Sequence, residues 1–180
     1  LVQESKEMNV ESAILCFSPH PRQFFTKNFN NFSIIDEATK IKLFNSLNID
    51  YYIIFKFDHS LASLTAPQFV KNVLYKKLKI CNLTVGYDFK FGKDRQGNID
   101  LLKKLSLKYN FKISIIDQVI HPITSEIYSS SLVRHNIKEG NFEMVSSLLG
   151  RNWKMQGKVI HGDKKASKIN FPTANIVPGD

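Results

Sequence analysis

The 180-residue sequence predicts an α/β domain with a Rossmann-like parallel sheet, and two observations carry that expectation. Short apolar, β-rich runs recur at 12–17 (SAILCF), 50–55 (DYYIIF), 82–86 (NLTVG) and 112–117 (KISIID). Segments of helical period lie between them, so strand and helix alternate in the manner of right-handed parallel crossovers. In such sheets ligands bind beyond the carboxyl ends of the strands, which says where chemistry is to be sought.

Each element has its own local reason. Over 36–47, Ile41, Phe44 and Leu47 share one helical face. Over 66–78 the stripe is Phe69, Val70, Val73, Leu74 and Leu78, opened by a Thr65/Gln68 capping box whose side chains satisfy free N–H groups. Over 99–109, Leu102, Leu105 and Tyr109 face one way while Lys103, Lys104 and Lys108 face the other. Two further helices are expected at 130–139 and 142–149, split by Gly140, and Gly150 is suited to a left-handed cap. A domain boundary is expected at 150–152, giving a first domain over 1–150. The alternating stretch WKMQGKVIHGD then reads as a strand opening a second domain over 151–180, too short to fold alone.

Bulk properties narrow the classes. Hydrophobic content of 43% and aromatic content of 12% belong to a packed globular chain and not to a disordered one. A formal charge of +9 attracts anions: nucleotides, nucleic acids and acidic membranes alike. Cys16 and Cys81 are far apart, which suggests neither zinc nor a redox pair; Cys16 is expected to be a buried free thiol, in a reducing cytoplasm. No apolar run approaches the ~20 residues of a membrane span, and the first twelve residues lack the pattern of a signal peptide. His59, His121, His135 and His161 lack metal-ligand spacing and are expected on the surface or in loops. Dinucleotide and P-loop glycine motifs are absent.

Three loops fall where ligands are expected. In FSPHPRQFF (17–25), two prolines bracket His20, so Pro21 and its partner present the imidazole on a rigid turn, whether for chemistry or as a plain surface histidine. In VGYDFKFGKDRQGN (85–98), Phe89 and Phe91 lie between Gly86 and Gly92, with Asp88 beside them. The rings serve either as a plug for the end of the sheet or as a wall for a flat ligand to which Asp88 offers a carboxylate. In YSSSLVRHNIKEG (128–140), Ser129, Ser130 and Ser131 open a helix with Arg134 one turn in, which makes either an ordinary capped start or an anion cradle.

Taken in order, F-S-P-H-P, V-G-Y-D-F-K-F-G with a downstream G-N, S-S-S-x-x-R, L-L-G-R, G-K-V-I-H-G-D and F-P-T-A-N resemble the prokaryotic bifunctional riboflavin kinase/FMN adenylyltransferases, the FAD synthetases. The resemblance implies a nucleotidyltransferase domain joining FMN and ATP into FAD and pyrophosphate, followed by the start of a β-barrel kinase domain that phosphorylates riboflavin. It implies that Gly86, Asp88, Phe89, Phe91 and Gly92 border flavin and nucleotide. His20 and Pro21 would line the floor of the site. Ser129, Ser130, Ser131 and Arg134 would hold ATP phosphates, with Ser130, Ser131 and Arg134 as the catalytic set. Pro172, Thr173 and Asn175 would belong to the kinase site, Thr173 and Asn175 meeting Mg²⁺. Small-molecule substrates, with neither nucleic acid nor membrane as partner, follow from the same likeness.

The chain also departs from that pattern. Ser18 stands where the family usually has an acid, and Ala166 and Asn170 stand where it has glycines. The family's G-x-F-D-G-x-H-x-G-H segment would precede Leu1 and the rest of the barrel would follow Asp180. An internal fragment with impaired turnover is therefore expected. Competing expectations are another nucleotidyltransferase of the same superfamily, a non-catalytic descendant, and a basic nucleic-acid-binding module; the last would need its cations gathered on one face.

Overall fold

The four apolar runs form strands β1 (Ala13–Ser18), β2 (Tyr51–Lys56), β3 (Asn82–Gly86) and β4 (Lys112–Ile116) in the computed structural model. It describes residues 1–26, 33–122, 124–155, 157–160 and 175–178, the side chains of 176–178 excepted. All four strands are parallel to their partners, but they pair two by two, β1 with β2 and β3 with β4. The continuous sheet expected from the sequence is thus two small parallel sheets among the described residues. With one hydrogen-bonded neighbour each, most strand residues are only half-buried instead of enclosed on both faces.

The described residues divide into two units, Leu1–Asn28 with Ile49–Tyr128, and Phe29–Asn48 with Ser129–Asp180. The first holds both parallel sheets and helices α1 (Val2–Glu7), α2 (Pro21–Thr26), α4 (His59–Ala62), α5 (Ala66–Phe69) and α6 (Ile99–Tyr109). The second holds α3 (Glu37–Ser46), α7 (Ser130–Lys138), α8 (Phe142–Leu149) and an antiparallel pair, β5 (Gly157–Ile160) with β6 (Asn175–Pro178).

In the first unit the register of β1 against β2 is fixed just before both strands begin. Asp50 accepts hydrogen bonds from the backbone N–H and the hydroxyl of Ser12, both at 2.7 Å. Ser12 is 2% exposed, and its hydroxyl oxygen accepts the Asp50 N–H in return at 3.1 Å. The core lies on one side of the strands. Ala66, Phe69, Val70, Val73, Leu74, Val85, Phe91, Leu102, Leu105 and Phe111 form its buried centre, with Leu15, Phe17, Phe55, Leu83 and Ile113 packed on it from the strands. On the opposite face of the second sheet, Thr84 and Ser114 stand side by side and both donate to the carboxylate of Glu4, which docks α1 there.

The expected capping box is present: Gln68 N–H donates to Thr65 Oγ1 at 3.3 Å, and Thr65 N–H donates to Gln68 Oε1 at 2.9 Å. From Val70 to Lys77 this helix continues in the wider π form, with Val70, Val73 and Leu74 buried. Helix α6 follows its predicted faces, Leu102 and Leu105 inward and Lys103, Lys104 and Lys108 exposed. Asn98 caps its start and Asn110, in the left-handed conformation, its end.

In the second unit, Asp36 caps α3 by accepting from Thr39 N–H at 2.7 Å. The stripe expected on that helix is not buried: Ile41 and Leu47 are exposed, and the covered side is the half-buried Leu43 and Phe44. Helices α7 and α8 bury Val133, Asn136, Val145 and Leu148 and turn at Gly140, whose φ is +72°. Asn141 Nδ2 donates to Asn136 Oδ1 at 3.1 Å, and Asn136 Nδ2 donates to Leu132 O at 3.0 Å, so the buried amide is satisfied on both ends. Gly150 ends α8 in the left-handed conformation its position predicts. Beyond it Trp153 stacks on Phe142 at 5.9 Å and donates its indole N–H to Ile34 O at 2.8 Å. No helix among the described residues is long and apolar enough to cross a membrane.

Two stability outcomes follow. Leu102 is 0% exposed whereas Leu107, on the same helix, is 86% exposed. Leu102→Ala is expected to cost about 2–5 kcal/mol and Leu107→Ala less than about 0.5 kcal/mol in urea denaturation. The N–H and then the hydroxyl of Ser12 hold the Asp50 carboxyl below the ordinary aspartate value of 3.8. Its contribution is therefore complete above that value and is lost as pH falls through the lower folded one. Asp50→Asn should reduce stability near neutrality and flatten the acid limb, as thermal melts from about pH 2 to 7 would show.

Candidate functional site

The first loop of interest runs from the end of β1 into α2. The Ser18–Pro19 bond is cis, and Pro21 is the first residue of α2, where a missing N–H costs nothing. Between them His20 is exposed; its N–H donates to Gln23 Oε1 and its Nδ1 accepts Arg22 N–H, both at 3.1 Å. Because Nδ1 is an acceptor, the proton of the neutral ring resides on Nε2. The sequence does not advertise what lies beside it: Phe24 packs edge-on against Phe25, Phe57 and the ring of His59, at 5.3, 5.3 and 5.0 Å.

The second loop follows β3. Gly86 closes the strand, and an added Cβ there would lie 3.4 Å from Asp88 Oδ1. Asp88 is exposed and Phe89 half-buried. Phe91, 6% exposed, stacks on Phe89 at 5.4 Å and leans on Phe69 at 6.1 Å. Phe91 and Gly97 then exchange two main-chain hydrogen bonds, 3.2 and 2.8 Å, which close the loop on itself. Both glycines beyond Phe91 are sterically required. A Cβ on Gly97 would meet Phe91 O at 2.7 Å, and one on Gly92, whose φ is +73°, would meet Ala66 N at 2.5 Å. Lys93 N–H adds a bond to Leu64 O at 2.7 Å. Within this closure Asp94 and Arg95 both take left-handed backbone, φ +52° and +56°, at about 1–2 kcal/mol each.

In the second unit, Ser129 is the N-cap of α7, its Oγ accepting Leu132 N–H at 3.1 Å. Its hydroxyl is thus engaged in the cap, while Ser130 and Ser131 are exposed in the first turn and Arg134 is half-buried one turn further in. Asn175 opens β6 opposite Ile160. Pro172, Thr173, Ala166, Asn170 and His161 lie outside the described residues.

His121 lies in a loop, one of the two places expected for it, but is buried there: it is 2% exposed, its Nδ1 accepting Thr124 N–H at 3.2 Å and its ring 5.4 Å from Tyr128. The backbone of 119–128 doubles back through the Ile120–Ile127 bridge and carries this ring inward. Cys16 is half-buried instead of buried, since its strand is paired on one side, and Cys81 is exposed. Among the described residues no group of three or more His, Cys, Asp or Glu is disposed to hold a metal ion.

Comparison with known proteins places these loops in context. The family model described as FAD synthetase matches residues 1–132. The chain belongs to the FAD synthetase family. A second model, riboflavin kinase, matches residues 149–180. A bifunctional riboflavin kinase/FMN adenylyltransferase of Buchnera aphidicola from Schizaphis graminum is 37% identical over 98% of the chain. Its namesakes in Escherichia coli K12 and Haemophilus influenzae are 31% and 32% identical over the same share. This FAD synthetase-family chain spans 56% of the length of each of these relatives. A solved structure described as a macrolide-efflux protein from Streptococcus pneumoniae superposes with a TM-score of 0.78 over 99% of the chain and 57% of its own. At 22% identity that likeness shows the fold.

In this family member the loop after β3 is built on its buried ring. Phe91→Ala should cost about 3–5 kcal/mol in chemical denaturation. Gly92→Ala, which combines a positive φ with a backbone collision, should cost about 1–3 kcal/mol by the same measurement.

Proposed function

We propose that residues 1–150 serve as an FMN adenylyltransferase domain and residues 151–180 begin a riboflavin kinase domain. The observation that carries this reading is the FAD synthetase match over 1–132, followed by the riboflavin kinase match over 149–180. The reaction would be attack of an FMN phosphate oxygen on the α-phosphorus of ATP, forming the new P–O bond of FAD while the bond to pyrophosphate breaks. Such a transfer needs orientation and neutralisation of charge more than covalent help from the protein. The mixed α/β fold with small parallel sheets is consistent with a nucleotidyltransferase of Rossmann-like type.

Each loop has a part in this reading. Asp88 is exposed at the carboxyl end of β3, available to accept a hydrogen bond from a flavin or nucleobase N–H, with Phe89 lying over Phe91 beside it. Gly86, exposed at the end of β3, leaves the backbone approachable there, while Gly92 holds the following turn close against Ala66. His20, on the rigid turn before Pro21, would line the floor of the site. At the start of α7, Ser130 and Ser131 contribute hydroxyls and the helix contributes free N–H groups to phosphate oxygens, with Arg134 supplying positive charge. Ser129 orders that turn through its cap.

In the kinase portion, Pro172, Thr173 and Asn175 would form part of the nucleotide site. The hydroxyl of Thr173 and the amide oxygen of Asn175 are hard oxygen donors of the kind Mg²⁺ takes. When bound, Mg²⁺ would neutralise phosphate charge. A soluble enzyme acting on ATP, FMN and riboflavin in the cytoplasm completes the reading.

The test uses flavin fluorescence and ATP-dependent FAD formation by the whole protein carrying this chain. FMN fluorescence should be quenched on binding, and Asp88→Ala should weaken FMN binding by roughly tenfold. Arg134→Ala should lower the rate of FAD formation on the order of 10²-fold. Failure to quench FMN, together with no FAD formed, would sink the assignment.

A further inference from the structure

The strained turn after β3 has a feature that the proposed reaction leaves unused. Its two consecutive left-handed residues are Asp94, φ 52° and ψ 23°, and Arg95, φ 56°. Aspartate tolerates that conformation because its short side chain can bond locally, but arginine gains nothing from it. Glycine or asparagine would serve the backbone with less strain. The strain is held from several sides: the Phe91–Gly97 exchange, Gly92 against Ala66, and Lys93 N–H on Leu64 O. Arg95 N–H also bonds Gly92 O at 3.0 Å, so the residue's own backbone is fixed. What this arrangement delivers is an exposed arginine on a fixed backbone. Lys93 and Arg95 are exposed, and neither has an ion pair or side-chain hydrogen bond among the described residues. Asp94 between them is exposed as well and engages neither. The turn follows the carboxyl end of a parallel strand, the edge at which open α/β sheets take ligands.

We infer that the turn 92–97 is a phosphate-recognition element in which Arg95 binds the anion and the left-handed Asp94–Arg95 backbone aims it. Guanidinium is suited to the task because its planar fork matches two phosphate oxygens and never loses its charge. Lys93, two residues earlier, adds a second cation. The proposal rests on the reading of this chain as a binder of flavin and nucleotide, and deepens it. The phosphoryl group it reads belongs either to FMN or to ATP.

The experiment compares ligands that differ only in phosphate: FMN with riboflavin by fluorescence quenching, and ATP with adenosine by calorimetry, all on the whole protein carrying this chain. Three variants are needed. Arg95→Gly removes the guanidinium while relieving the backbone, Arg95→Gln removes the charge alone, and Arg95→Lys keeps it. In Arg95→Gly and Arg95→Gln the preference for one phosphorylated ligand should fall on the order of tenfold, with binding of its unphosphorylated partner unchanged. Arg95→Lys should restore part of the preference. A loss confined to the FMN/riboflavin ratio assigns the turn to the flavin phosphate, and one confined to the ATP/adenosine ratio assigns it to the nucleotide. Arg95→Gly should melt no lower than the parent, which separates lost recognition from lost folding. Intact binding with both ratios unchanged in Arg95→Gly would overturn the inference alone. A protein that bound neither FMN nor ATP would overturn the broader functional reading with it.

Discussion

Phe91 is the point from which the geometry of the ligand-facing edge is set. Its ring is part of the core, between Phe69 and Phe89, while its backbone closes the following loop through Gly97. One residue thus joins apolar burial, worth a few kcal/mol for a large ring, to a local main-chain clasp. Ordinary turns are shaped by their own residues, but this one is imposed from beneath, which is why two non-glycine residues in it can be held left-handed. Gly92 and Gly97 are where that imposition leaves no room for a side chain.

The two ties that order the chain farther from this edge work by a different principle. Asp50 gathers the N–H and hydroxyl of Ser12 before β1 and β2 begin, and Glu4 gathers two hydroxyls across β3 and β4. In each case one carboxylate accepts two bonds from donors far from it in sequence, and so fixes register or docking. Such bonds keep a small sheet aligned where each strand has a partner on only one side, and where hydrophobic enclosure is correspondingly incomplete.

Much of this fold was legible in the sequence wherever local chemistry decides the outcome. The four strands, the capping box at Thr65 and Gln68, the two faces of α6, the break at Gly140 and the left-handed end at Gly150 are all set by residues within a few positions of one another. What depended on distant partners was not legible. The splitting of the sheet into pairs, the exposure of Ile41 and Leu47 and the burial of His121 are decided by what packs against them. The loop residues of the candidate site were found by motif and resemblance. Arg95 was passed over, because nothing in the string K-D-R-Q-G says that its backbone is left-handed. Its signal exists only once the Phe91–Gly97 closure is seen.

The stacking of Trp153 on Phe142 has a spectroscopic meaning. Trp153 is the chain's one tryptophan and lies in the unit formed by Phe29–Asn48 and Ser129–Asp180. All six tyrosines, from Tyr51 to Tyr128, lie in the other. Nature has labelled the halves with different chromophores: indole emission reads the helical unit and its bond to Ile34, and phenol absorbance reads the parallel-sheet unit. A single sample, watched at two wavelengths, therefore resolves whether the halves melt as one or in turn.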